Sequence, residues 1–149
     1  MKKTSIAFLI LVISFLSGCS VIEGANNTLT YATEVTEFAN EATIFAKDTP
    51  ALAQQAVSNK EAATELEASL QVMKTNIEEF NELQPPEMAA DLHQQVVTQN
   101  ENAIKGIDLY LNNIKDGTLD PAVLENNEAF KSLGEIKNIV DQIRDLVGQ

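Results

Sequence analysis

Between residues 31 and 47 the chain reads YATEVTEFANEATIFAK, and its apolar positions nearly repeat every seven residues. With Val35 as heptad position a, Thr28, Val35 and Ala42 occupy a, Tyr31, Phe38 and Phe45 occupy d, and Ala32, Ala39 and Ala46 occupy e. A stripe of that width is what a helix of a globular bundle buries, wider than the a/d seam of a two-stranded coiled coil. Glu34, Glu41 and Asp48 fall at g with no basic residue at e, so a parallel homodimeric zipper lacks its charge pairing. The repeat is a packing face.

The same reading continues along the chain. The first helix is expected to stop near Asp48, with Thr49 as the N-cap and Pro50 as the first helical residue of a separate short turn. Ser58 and Glu61 have capping-box spacing. They precede a second helix to about Leu83, with Ala63, Leu66, Leu70, Met73, Ile77 and Phe80 three and four apart. Pro85 and Pro86 break it. Pro86 starts a third helix to about Lys115, with Glu87 and Asp91 at the positive end of its dipole. Its stripe is Leu92, Val96, Ala103, Ile107, Tyr110 and Ile114, widened by Val97, Ile104 and Leu111. Gly117 suits a left-handed C-cap, and Asp120-Pro121 caps a new start. A turn around 121–126 then leads to a last helix carrying Leu133, Ile136, Val140, Ile143 and Val147. No segment alternates apolar and polar residues as a half-buried strand does. Short connections make sequential helices antiparallel. The fold class expected is all-α, an up-and-down helical bundle of about four long helices with one or two short extra helices.

The opening MKKTSIAFLILVISFLSGCS changes the picture from fold to address. Lys2 and Lys3 precede an apolar run of about 11 residues, where a spanning helix needs roughly 20, so residues 1–18 read as a signal peptide. LSGC has the pattern of a bacterial lipoprotein signal, with cleavage before Cys19 and a diacylglyceryl group on its thiol. Residues 19–25 form a short lipidated tether, reaching roughly 25 Å if fully extended, and 26–149 the acidic bundle domain. Two acyl chains hold a protein on a membrane without spanning it. Cys19 is the single cysteine, so the exported domain has no internal disulfide.

Charge narrows the partners. Twenty-two acids against 10 Lys and Arg give a formal net charge of −12. Lys2 and Lys3 leave with the signal, so the mature chain is more acidic still. Such a surface repels nucleic acid and anionic headgroups. It is either a solvated surface or one that favours a basic partner or divalent cations.

Candidate chemistry is sparse. His93 is the only histidine, and Ser69 and Ser132 lie in helical runs with no strand-turn-helix elbow. H-E-x-x-H is absent, and Ala90 stands where the Glu-x-x-His of di-iron bundles needs its carboxylate. NNIKDG lacks an oxygen ligand at Ile114, and Val123 occupies the closing glutamate position of a calcium loop. One constellation is left. Glu79, Glu82, Asp91 and His93 flank the Pro85-Pro86 corner and offer a divalent metal oxygen and nitrogen ligands. The alternative is a histidine at the stripe edge, hydrogen-bonded to a carboxylate or backbone group.

LSGCS near the start, NELQPPEMAADLHQQVV in the middle and LYLNNIKDGTLDP after it resemble a family of small helical lipoproteins of Bacillus-type bacteria. The resemblance implies a Gram-positive host and lipid anchoring on the outer face of the cytoplasmic membrane. It supplies no activity and no catalytic residue. The expectation is therefore a non-enzymatic, cofactor-free lipoprotein held to the membrane through Cys19. It would bind a protein or assist envelope assembly through a helix face or groove beside the Ala-rich first helix. The alternative is a small-ligand or divalent-metal binder using the bundle interior or the Pro-Pro corner.

Overall fold

The computed structural model describes residues 20–147, with side chains from 27 onward. The signal peptide expected over 1–18 and the lipidation expected at Cys19 lie outside the described residues. Four long helices, α1 (Ser20–Ala56), α2 (Lys60–Glu82), α3 (Ala90–Asn112) and α4 (Glu128–Val147), form an up-and-down bundle. Its sides are α1–α2, α2–α3, α3–α4 and α4–α1. The fold is all-α, as the periodicity predicts; of its two short 3-10 turns, Pro121–Glu125 falls where a turn is expected, while Glu87–Ala89 replaces the expected first turn of the third helix.

α1 carries the repeat into the core: Tyr31, Val35, Phe38, Ala39, Ala42 and Phe45 are buried. Contrary to expectation, the helix does not stop at Asp48 but runs through Pro50 to Ala56. A proline inside a helix removes one backbone bond and costs about 3 kcal/mol. What offsets it is packing, because Thr49, Ala53 and Ala56 extend the stripe three or four residues at a time and are all buried. Tertiary burial overrides the local stop signal, and Thr49 is no N-cap.

The turn into α2 differs in detail as well. Asn59, not Ser58, is the N-cap, and its Oδ1 accepts from the amides of Glu61 (2.9 Å) and Ala62 (3.2 Å). Ser58 is taken up in the turn, its amide bonding back to the Gln55 carbonyl. The α2 stripe, Ala63 to Phe80, is buried throughout. Leu83 leaves the helix in an extended conformation ahead of Pro85. Pro86 caps the 3-10 turn before α3, so the regular helix begins at Ala90.

α3 ends at Asn112, short of the expected Lys115. Ile114–Lys115 pairs antiparallel with Thr118–Leu119, two residues a side. Between them Asp116 (φ 53°) and Gly117 (φ 79°) both take positive φ, the requirement of a type I′ hairpin turn. Gly117 therefore serves a hairpin, not a helix C-cap, and Ile114 leaves the helical stripe to let Leu119 plug the end of the core. Asp120 caps the next turn as expected, its Oδ1 accepting from the Ala122 amide at 2.9 Å.

Aromatic rings tie the layers together: Phe38 on Phe80 at 4.4 Å between centroids, Phe45 on Phe130 at 6.0 Å, and Tyr110 edge-on to Phe130 at 5.5 Å. The α2–α3 side is held by polar pairs, Lys74 Nζ to Asp108 Oδ1 at 2.6 Å and Asn100 Nδ2 to Asn81 Oδ1 at 2.8 Å. Where α3 meets the start of α4, Gly106 lets the backbones close up. A Cβ there would lie 2.6 Å from the Ala129 Cβ and 2.9 Å from its amide nitrogen. Gly134, on α4, has nothing within 4 Å. Gly106→Ala is therefore expected to destabilise by about 1–2 kcal/mol, overpacking outweighing the gain in helix propensity. Gly134→Ala should stabilise by about 0.5–1 kcal/mol. Urea unfolding of the two variants checks both signs.

Candidate functional site

His93 sits at the start of α3, 6% exposed. Its Nδ1 lies 3.0 Å from the Tyr31 hydroxyl, and its ring stacks on Phe80 with centroids 4.9 Å apart and planes 16° from parallel. The partner is thus a phenol, where a carboxylate or backbone group was expected. Burial pushes the imidazole below its usual pKa of 6.5 and the Tyr31 phenol up to about 12. At neutral pH both are uncharged, and with the phenol donating, the ring proton rests on Nε2. The pair ties α1 to α3 over the Phe80 ring of α2.

The carboxylates proposed beside His93 stay outside. Glu79, Glu82 and Asp91 are exposed while His93 is buried. Among the described residues no group of three or more His, Cys, Asp or Glu is arranged to hold a metal ion. The reason is helical phase: His93 falls on the core stripe of α3, and the three acids fall on outward faces. Ser132 is buried in α4. Asn100 Oδ1 is buried with no hydrogen-bond partner, in the polar α2–α3 side.

A feature open to solvent is the seam between α1 and α2. A groove of about 670 Å³ runs there, with Phe45, Leu52 and Met73 among its lining residues. Ile44 on α1 and Val72 on α2 border it, each 60% exposed. Ala51, Ala68 and Ser69 also line it, too small to close the space between the helices. A second stretch of about 280 Å³ continues past Phe38, Phe80 and Leu83. The two share Glu41 and Asn76, whose Nδ2 donates to Glu41 Oε2 at 2.8 Å, a strap across the seam. Glu34, Glu37, Asp48, Glu65 and Glu79 complete the acidic lining, and no lysine or arginine lines either stretch. Glu79 thus belongs to this seam, away from the histidine. Ile44 and Val72 both fall outside the core stripes of their helices. That pairing of off-stripe apolar residues is the sequence signal the groove carried.

The fold defines a class, small four-helix up-and-down bundles, and the sequence places the chain within it. The model of a family of unknown function, DUF6376, matches residues 31–146, and the chain belongs to that family. It is 30% identical over 129 residues to the uncharacterized lipoprotein YybP of Bacillus subtilis (strain 168), with 87% of each chain covered. No solved structure matches it.

The Tyr31–His93 pair makes stability depend on pH. Because the folded pKa of His93 is lowered, the unfolded chain binds more protons below about pH 6.5. The contribution is complete above that value and is lost as pH falls, by at most about 1.4 kcal/mol per pH unit. Urea unfolding at pH 7.5 and 5.5 should show a smaller loss for His93→Phe than for the parent, which separates the imidazole from the carboxylates. Tyr31→Phe, leaving Nδ1 buried without its donor, should cost about 1–2 kcal/mol at pH 7.5.

Proposed function

We propose that this protein is a membrane-anchored bacterial lipoprotein, lipidated at Cys19, whose bundle is a non-enzymatic docking module for a protein partner at the extracytoplasmic face. The LSGC sequence and the lipoprotein name of the Bacillus relative support the anchor. No described helix is long and apolar enough to cross a membrane, so the acyl chains carry the attachment in this reading.

The observation that carries the docking role is the open groove between α1 and α2, with Ile44 and Val72 each 60% exposed on it. Burying what these side chains still expose gains about 1–2 kcal/mol apiece. That makes a partner surface worth binding and a solvent-facing position worth avoiding. A small-ligand site encloses most of its guest, typically 70–90% of the ligand surface. This seam is a long open trough, a shape that fits an element of another protein better.

Site-specific photocrosslinking in the host tests both parts. A photoreactive residue replacing Val72 should give one dominant protein adduct, and the same residue at Asn138, exposed on α4, should give none. With Cys19→Ala, acyl labelling and maturation should be lost, and the adduct with them. Equal adducts from both positions would remove the groove from the proposal. Acyl labelling that survives Cys19→Ala would remove the anchor.

A further inference from the structure

The chemistry of the seam goes beyond the existence of a partner to its kind, an inference that rests on the docking reading above. We infer that the groove takes a basic amphipathic α-helix, laid along α1 and α2 with its apolar stripe on the floor and Lys or Arg side chains over the rim.

Three observations lead there. The first is charge. Glu34, Glu37, Glu41 and Asp48 on α1 and Glu65 and Glu79 on α2 line the trough, with no basic residue among the lining. Lys74, the α2 lysine nearest the middle of the seam in sequence, is engaged on the opposite side with Asp108 of α3. A cationic element compensates that field. A second copy of this acidic chain, at −12 overall, would add to it.

The second is the backbone. The trough lies between two helices whose main-chain groups are paired within their own turns, apart from the carbonyl that Pro50 leaves without an amide and those at the end of α2, so a guest finds no row of free donors and acceptors there. An extended segment would bring unsatisfied amides onto an apolar floor, whereas a helix satisfies its own. The third is length. From Glu34 to Gln55 the lined face of α1 covers 21 helical steps, roughly 31 Å at 1.5 Å each. The apolar stretch around Ile44, Leu52 and Val72 takes anchors spaced three and four apart. Beyond the Asn76–Glu41 strap the acidic stretch faces the guest's more basic end.

A pair of synthetic helical peptides tests this. Both are about 18 residues long with one leucine stripe; one carries lysines flanking the stripe and the other glutamates. The full lipidated protein is held in discs of zwitterionic lipid, and protein-free discs supply the blank. The lysine peptide should bind, with affinity falling at least about tenfold between about 50 and 500 mM salt. Val72→Asp should weaken it by about tenfold or more, because apolar contact is lost even though negative charge is gained. Circular dichroism of the variant confirms its helices. Binding that Val72→Asp leaves intact or improves would mean surface charge alone and would overturn the inference. So would equal binding of the glutamate peptide, or no binding of either. In those cases a groove adduct at position 72 in cells would still uphold the docking role, while an adduct between two copies of this chain would name the other occupant.

Discussion

The bundle depends on α1 remaining one helix across Pro50. Its stripe from Tyr31 to Ala56 is the surface on which the neighbouring layers meet: Phe80 of α2 on Phe38, Phe130 of α4 on Phe45, and His93 of α3 on Tyr31. A break at Asp48 would save about 3 kcal/mol of proline penalty. It would also release Thr49, Ala53 and Ala56 from the core, together with the short loop that brings α2 back antiparallel. Three buried side chains and a fixed loop outweigh one missing hydrogen bond, so the helix continues.

That continuity also produces the groove. A helix has more circumference than one core needs. α1 commits its a, d and e positions inward and leaves Ile44, at a c position, beside the seam with α2. The small residues Ala51, Ala68 and Ser69 hold the seam open at the same height. Had larger apolar side chains stood there, they would fill the space between the two helices and cover more of Val72. The low relief of the seam and the exposure of two branched residues therefore share one cause.

Much of this was legible in the residues and some was not, for identifiable reasons. The stripes of α2, α3 and α4 were readable because periodic burial is a long-window signal that no single residue can cancel. The stop at Asp48, the Ser58 cap and the Gly117 C-cap were misread because each rests on one or two residues whose local preference is compatible with two structures. Pro50 fits a helix start and a helix interior with packing on both sides; Gly117 fits a C-cap and a type I′ turn. The Glu79–Glu82–Asp91–His93 constellation failed for a similar reason. Proximity around a corner says nothing of helical phase, which buries the imidazole and turns the acids outward. A face or groove beside the Ala-rich first helix is legible in the residues, but its lining is not, since what lies opposite Ile44 depends on how α1 and α2 pack.

The distribution of charge separates the sides of the bundle further. On α2–α3, Lys74 meets Asp108; along α4, Lys137 and Arg144 share Asp141, whose carboxyl the Lys137 hydrogen bond holds below its usual pKa. These exposed pairs add little to stability, but they compensate charge locally. On α1–α2 the facing partner of Glu41 is an amide, Asn76, which bridges the helices without neutralising anything. The acids lining that seam repel one another modestly within a Debye length, a cost the bundle bears around two exposed apolar side chains. An acidic field left uncompensated beside exposed Ile44 and Val72 is what the proposed cationic, amphipathic helix requires; paired on its own chain, it would have nothing left to offer one.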